Sequence, residues 1–68
     1  MKLVLEMDLD NSAFEPHRNI EAARILRTVS RKLEVARPVE IGDLFALKDF
    51  NGNTVGRLAA ISDDKDLL

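Results

Sequence analysis

Arg24, Arg27 and Arg31 recur at helical spacing and form the clearest candidate for a functional surface in this chain. The arginine guanidinium binds carboxylates and phosphates through two parallel hydrogen bonds, which the lysine ammonium does not do. Ile20 and Val35 flank the arginines on the same side of the predicted helix, and apolar residues beside arginine are typical of protein interfaces. These five residues therefore predict a partner-binding surface, for which a protein carboxylate and a nucleic-acid phosphate are the two matching chemistries.

The charge distribution bears on which partner is favoured. Residues 18–37 hold six basic and two acidic side chains, a local charge of +4, whereas the remainder holds four basic and ten acidic ones. The structural alternative is a solvated helix face on which Glu21 and Glu34 balance the arginines. Because the net charge is −2 and no nucleic-acid-binding signature is present, a protein or nucleoprotein partner is favoured over nucleic acid. The acidic residues near strand ends form a second candidate surface, as a mimic of nucleic-acid phosphates.

The chain carries no residue pattern that predicts catalysis. His17 is the single histidine and has no neighbouring nucleophile motif. Asp8, Asp10 and Ser12 have the alternate spacing of a calcium loop, but the glycine and glutamate that such a loop requires further on are absent. The lack of cysteine excludes disulfides and thiolate metal sites. We therefore expect no enzyme, no metal and no cofactor.

The first half of the chain predicts two elements, a strand and then the helix that carries the arginines. The strand is indicated by apolar residues at every second position from Leu3 to Leu9, which alternate with Val4, Glu6 and Asp8 and predict one buried face. Apolar residues at helical spacing then predict a helix from about residue 18 to residue 36: they are Ala22, Ile25, Leu26, Val29, Leu33 and Ala36. We expect Pro16 in its first turn, Glu15 or Asn19 as its cap, and Pro38 to stop it, with Phe14 as an anchor beneath.

A hairpin follows the helix. Leu44–Phe50 and Thr54–Ile61 are predicted strands, and Asn51 and Gly52 between them form the strongest short-range hairpin signal, since both tolerate a positive φ. Gly56 indicates either a bulge or a close approach by the helix, and the side that Val55, Arg57 and Leu58 face stays open. The predicted fold is α+β, βαββ, with a three-stranded antiparallel sheet of order 1-3-2 and one long helix across one face.

The chain has 68 residues, which is enough for one small domain. We expect one domain over residues 1–61 and an acidic tail over residues 62–68. Such a short chain buries a small core, so self-association through the uncovered sheet face is a candidate property, and the chain is expected to be a monomer or a homodimer. The opening stretch is too short and too charged for a signal peptide or a membrane span, so we expect a cytoplasmic protein with no membrane partner.

Three stretches resemble a loose group of small, mostly uncharacterised proteins of phages, prophages and actinobacterial mobile elements. They are the hairpin at residues 49–56 (Asp-Phe-Asn-Gly-Asn-Thr-Val-Gly), the Leu-x-Met-Asp-Leu-Asp-Asn run at residues 5–11 and the Ala-Arg-Ile-Leu-Arg run at residues 23–27. The resemblance implies a fold and an origin, and it transfers no functional residue. Small α+β proteins of such genomes are often inhibitors of host defence, including anti-CRISPR proteins, which by analogy of class implies a similar role here.

Three hypotheses follow for the function. The first is a non-enzymatic protein-binding module that blocks the surface of a host defence nucleoprotein complex. The second is a nucleic-acid-binding or regulatory protein that uses the same arginine-rich helix. The third is a self-associating structural protein.

Overall fold

The chain folds as a three-stranded sheet with one long helix, in a computed structural model that describes residues 1–63. β1 (Lys2–Met7) leads through a short 3₁₀ turn (Ser12–Phe14) to α1 (Arg18–Val35), and β2 (Leu44–Lys48) and β3 (Thr54–Ile61) follow. β3 lies between the other two strands and is antiparallel to both, so the strand order is β1-β3-β2. The predicted α+β architecture and strand order are confirmed.

The core lies between α1, the 3₁₀ turn and the inner face of the sheet. Phe14, Ile25 and Leu47 are its largest fully buried side chains, and Phe14 is the anchor that the sequence predicted. Burying a side chain of this size contributes about 1.5–3 kcal/mol to the free energy of folding. The buried cluster consists of Ala13, Phe14, Ile25, Val29, Leu47, Val55 and Leu58.

A bulge in β3 sets which side chains face inward. Leu47 pairs with Gly56 while Lys48 pairs with Thr54, so Val55 is the extra residue in β3. Val55 is buried as a consequence, whereas Arg57 lies on the outer face of the sheet beside Glu6. A Cβ atom on Gly56 would collide with the backbone carbonyl oxygen of Glu6. The predicted bulge is therefore confirmed, and the element that approaches Gly56 closely is β1 rather than the helix.

The hairpin loop differs from its prediction in two respects. β2 ends at Lys48 rather than at Phe50, and Gly52 alone in the loop has a positive φ, of 85°. The Gly52 amide donates to the Asp49 carbonyl (3.0 Å), and the Asp49 amide donates to the Asn53 carbonyl (2.9 Å). The predicted hairpin is present, but Asn51 does not adopt the positive φ that it tolerates, because this loop places a tight turn before a single left-handed glycine, an arrangement typical of three-residue hairpin loops.

The helix ends are close to their predicted positions, but its first turn is not capped as expected. His17 occupies the N-cap position and its side chain makes no capping hydrogen bond, while Pro16 lies outside the helix. Glu15 and Asn19 therefore do not cap α1. At the other end, α1 stops at Val35, three residues before Pro38.

α1 covers the sheet unevenly. It packs against β2 and the 3₁₀ turn, so its buried residues are Glu21, Ile25 and Val29. On the β1 side, Leu3 and Leu26 belong to the predicted apolar stripes and yet are 46% and 47% exposed. Between α1 and β1 lies an open apolar groove of about 540 Å³. It is lined by Leu5, Leu26, Val29, Ser30, Leu33, Glu34 and Leu58.

The predicted tail is described only at its start. Asp63 accepts a hydrogen bond from the amino group of Met1 (3.0 Å), which joins the start of β1 to the end of β3. Residues 64–68 lie outside the described residues.

Candidate protein-binding surface on the helix

The side of α1 that faces away from the core carries three of the five predicted site residues, Ile20, Arg27 and Arg31, and Val35 adjoins them at the exposed end of the helix. Each residue turns a helix by about 100°, so Ile20, Arg27 and Arg31 lie opposite the buried Ile25 and Val29. Ile20 is 64% exposed, and Val35 at the end of the helix is 88% exposed. Arg27 and Arg31 are exposed and stand one turn apart. We call Ile20, Arg27, Arg31 and Val35 the helix face.

The two arginines of the helix face have no carboxylate partner within residues 1–63. Among these residues, the arginines that form ion pairs are Arg24, Arg37 and Arg57, and the balance that Glu34 was expected to give Arg27 is not formed. Side chains at adjacent turns of a helix are about 5–6 Å apart at Cβ, so the two guanidinium groups are close enough to contact one ligand. The helix face thus presents two arginines whose hydrogen-bond donors are available to a ligand.

Arg24 does not join Arg27 and Arg31 in one binding surface, as the helical spacing of the three residues had predicted. Its Nε donates to Glu21 Oε1 (2.7 Å) and its Nη2 donates to Glu21 Oε2 (2.9 Å). Nη2 also reaches the Lys48 carbonyl oxygen (3.3 Å). The Glu21 carboxylate beside it raises the pKa of the Arg24 guanidinium. Arg24 therefore links α1 to the end of β2, and the structure does not bring it into one group with Arg27 and Arg31.

Glu21 was expected to balance the arginines on a solvated helix face, and it does pair with Arg24, but its carboxylate is buried. Besides Arg24, its Oε2 accepts the backbone amide of Phe50 (2.9 Å). The hydrogen bond from Arg24 lowers the pKa of the Glu21 carboxyl, burial opposes that effect, and the Phe50 amide lowers the pKa further. The net direction is downward, so Glu21 is held as a carboxylate that accepts hydrogen bonds and has no proton to transfer at neutral pH.

Asp49 is the second buried carboxylate and holds the hairpin loop. Its Oδ1 accepts the amides of Asn51 and Asn53 (both 2.9 Å), and its Oδ2 accepts the side-chain amide of Asn11 (2.8 Å). Burial raises the pKa of the Asp49 carboxyl, but the donors from Asn53, Asn11 and Asn51 outweigh it and the pKa is lowered. The sequence signal for this cluster was the aspartate preceding the Asn-Gly-Asn turn, since aspartate commonly accepts amides two residues further on.

The acidic strand ends, the second candidate surface, are partly engaged in local structure. Asp43 accepts the Glu40 amide (2.9 Å) and pairs with Arg37 (2.8 Å). The Arg37 hydrogen bond and then the Glu40 amide lower the pKa of the Asp43 carboxyl. Asp8 accepts the amide of Asp10 (3.1 Å). These carboxylates serve the turns that contain them, in contrast to the arginines of the helix face.

The described part of the chain lacks the features of three other kinds of site. Among residues 1–63, no three His, Cys, Asp or Glu side chains converge as metal ligands. No buried side-chain nitrogen or oxygen of these residues lacks a hydrogen-bond partner. No helix there has both the length and the apolar run needed to cross a bilayer.

The fold and the surface define a small α+β protein whose most distinctive feature is an arginine-bearing helix face. No known protein family matches the chain, and no curated protein or solved structure is similar enough to be compared with it. Functional conclusions therefore rest on the geometry of its residues.

Proposed function

We propose that this protein is a non-enzymatic binding module that attaches to an acidic surface of a partner protein through the helix face. The observation that carries the proposal is the contrast between its arginines. Arg24, Arg37 and Arg57 each contact a carboxylate of their own chain, whereas Arg18, Arg27 and Arg31 are exposed and contact none within the described residues. Of these three, Arg27 and Arg31 stand one helical turn apart on the same side of α1.

The composition of the helix face supports a protein partner. Ile20 and Val35 are large apolar side chains left in water at either end of the two arginines. They are 15 residues apart along the helix, about 22 Å at 1.5 Å per residue. A partner that covers this length would bury both apolar ends and form bidentate carboxylate–arginine pairs in the middle, where exclusion of water strengthens them.

A matched pair of charge reversals tests the proposal. The double variant R27E/R31E removes the positive charge of the helix face, and the control R18E/K32E makes the same change in net charge at two exposed residues elsewhere on α1. Each protein is used as bait in a nuclease-treated bacterial lysate at low and at moderate salt. A discrete partner should be retained by the wild type and the control and lost by R27E/R31E. Equal capture by both variants would refute the role of the helix face.

Nucleic acid is the second candidate partner, because exposed arginines one helical turn apart also suit phosphates. It requires binding that weakens steeply with salt, by roughly one power of the salt concentration for each phosphate contacted. Recovery of nuclease-sensitive material alone, lost as salt rises, would favour this alternative over the protein partner.

For the identity of the partner, we propose a cytoplasmic component of a host defence nucleoprotein complex. The support is the resemblance to phage and mobile-element proteins, together with the analogy of class. The test is a phage-infection assay in bacteria that carry such a defence system. Expression of the protein should restore plaque formation, R18E/K32E should do the same, and R27E/R31E should not. If expression of the protein does not weaken the protection given by any defence system tested, the inhibitor role is refuted. The proposal that the protein is a binding module is not affected by that result.

A further inference from the structure

Three of the four asparagines of the chain surround one carboxylate at the hairpin loop, and they are held in different ways. The side-chain amide of Asn11 donates to Asp49 Oδ2 (2.8 Å), and that of Asn53 donates to the same oxygen (3.3 Å). Asn51 is attached through its backbone amide alone, which donates to Asp49 Oδ1 (2.9 Å). Its side chain is exposed and makes no hydrogen bond among residues 1–63, so it rotates independently of the loop.

The residue that follows Asn51 is a glycine, and this pair favours one reaction. Asparagine is a thermally labile residue, because its side-chain carbonyl carbon is open to attack by the backbone nitrogen of the next residue. A Cβ atom on that next residue crowds the nitrogen. Gly52 has no Cβ, and even a Cβ built there would meet no atom within 4 Å. The approach of the Gly52 nitrogen to the Asn51 side chain is therefore unhindered.

The other asparagines lack this combination of a free side chain and a following glycine. β-Branched residues follow Asn19 and Asn53, and the two heavy atoms on each Cβ crowd the backbone nitrogen. The side chain of Asn11 is held at both ends, because it donates to Asp49 and accepts the amide of Ala13 (2.8 Å). The chain thus offers one favourable site, in the hairpin loop.

We propose that Asn51 is a site of spontaneous deamidation, at which the backbone nitrogen of Gly52 is the nucleophile. This nitrogen loses its proton to hydroxide and attacks the Asn51 Cγ atom. The new N–C bond closes a succinimide ring, the bond from Cγ to the side-chain nitrogen breaks, and ammonia leaves with a proton taken from water. Water then opens the ring at either carbonyl. The products are aspartate and isoaspartate, in which the backbone runs through the former side chain.

The folded loop restrains this reaction. The Gly52 amide donates to the Asp49 carbonyl (3.0 Å), and a proton held in that hydrogen bond is not available to hydroxide until the loop opens. The Asn51 amide is bound to Asp49 Oδ1, which fixes the backbone that has to turn towards the side chain. Both hydrogen bonds run to Asp49. We therefore expect deamidation to be slower in the folded protein than in the unfolded chain.

The products change the hairpin in two ways. Isoaspartate adds a carbon atom to the backbone after position 51, so the amides of residues 51 and 53 are no longer spaced to share Asp49 Oδ1. Either product also adds a negative charge to a loop that is held by the buried carboxylates of Glu21 and Asp49, and like charges repel. The deamidated protein should therefore unfold at a lower temperature than the fresh protein.

Incubation of the purified wild type in mildly alkaline buffer, with and without guanidinium chloride, tests the site and its restraint together. Conversion of the amide to an acid raises the mass by about one mass unit, and peptide mapping by mass spectrometry assigns the position. Asn51 should convert before the other three asparagines, and it should convert faster in denaturant. Earlier conversion of another asparagine would overturn the site. Equal rates in the two conditions would overturn the restraint.

Two variants separate the chemistry from the loop. G52A places a Cβ beside the attacking nitrogen and should slow conversion several-fold in denaturant, where the fold plays no part; an unchanged rate there would overturn the succinimide route. D49A removes the side-chain acceptor and should speed conversion in buffer only, whereas the control D10A, at an exposed aspartate, should react as the wild type does. Equal rates of D49A and D10A in buffer would overturn the restraint. The wild-type comparison stands even if D49A fails to fold.

Deamidation and partner binding are seen in different measurements. R27E/R31E leaves the hairpin loop unchanged, so Asn51 should convert at the wild-type rate in this variant even where partner capture is lost. Failure of the proposed function and failure of the deamidation site are thus distinguishable.

Discussion

Glu21 and Asp49 hold the same hairpin loop from different elements of the fold. Glu21, in the first turn of α1, accepts the amide of Phe50 (2.9 Å), and Asp49, at the end of β2, accepts the amides of Asn51 and Asn53 (both 2.9 Å). Three of the loop's backbone amides therefore end on buried carboxylates. The loop is therefore fixed both to the end of β2 and to α1.

Replacing Asp49 with alanine is expected to loosen the hairpin. The amides of Asn51 and Asn53 and the side chain of Asn11 would lose their acceptor in a site that water reaches poorly. We expect Tm to fall by roughly 10 °C or more for a domain of this size. Thermal unfolding followed by circular dichroism measures it. The control is D10A, at an exposed aspartate, and a Tm for D49A as high as that of D10A would contradict the role given to Asp49.

The stability of the protein should fall in acid. Glu21, Asp43 and Asp49 all have lowered pKa values in the folded state, so the unfolded chain binds protons more readily. Their contribution is fully present above the unfolded pKa of about 4 and is lost as the pH falls through the folded values. Urea unfolding between about pH 5 and about pH 2 measures this slope. E21Q should flatten it, whereas E34Q, at an exposed glutamate of the same helix, should not.

Replacing Arg24 is expected to lower the stability of the fold, whereas replacing Arg27 is expected to affect partner binding and leave stability nearly unchanged. R24A leaves the buried Glu21 carboxylate without its guanidinium and should destabilise the fold by about 1 kcal/mol, a figure kept low because Arg24 is 39% exposed and water screens the pair. R27A should change the free energy of unfolding by less than about 0.5 kcal/mol. Urea unfolding checks stability, and partner capture checks binding. If R27A were the more destabilising variant, the assignment of the two residues would be reversed.

Gly56 is expected to be far less replaceable than Gly52. G56A forces a Cβ atom against the Glu6 carbonyl oxygen and within 2.9 Å of the Met7 Cα, and both are backbone atoms of a neighbouring strand. We expect a loss of about 3 kcal/mol, or failure to fold. G52A meets no atom within 4 Å and pays only for its positive φ, about 1 kcal/mol. Equilibrium unfolding in urea ranks the two, and equal losses would contradict the steric account.

Much of the fold was predictable because strong local patterns specify it. The helical spacing around Ile25 and Val29, the Asn-Gly turn and the alternation in β1 placed each element within a few residues. The uneven cover of the sheet was not predictable, because the position of a helix across a sheet is set by tertiary packing. Here Phe14 and the 3₁₀ turn occupy one end of the core, and α1 packs against β2 rather than over the whole sheet.

The candidate site was predictable in part for a similar reason. Helical periodicity placed Arg27 and Arg31 on the outer side of α1, where the structure has them exposed. Arg24 lies at the margin of that side, and only the buried Glu21 and the nearby Lys48 carbonyl decide that it turns inward. Periodicity alone does not distinguish an arginine at the margin of a helix face from one at its centre.

The hairpin at residues 49–56 also bears on how this protein should be compared with others. Asp49 accepts the loop amides, Gly52 supplies the left-handed turn, Val55 enters the core and Gly56 allows β1 to pass. Each of these residues serves the fold and none serves the helix face. Chains that share the hairpin are therefore expected to share the fold, while the fold places no constraint on their outer helix residues. If the helix face binds the partner as proposed, divergence at positions 20, 27, 31 and 35 would record a change of target, much as variable loops do on a common antibody framework.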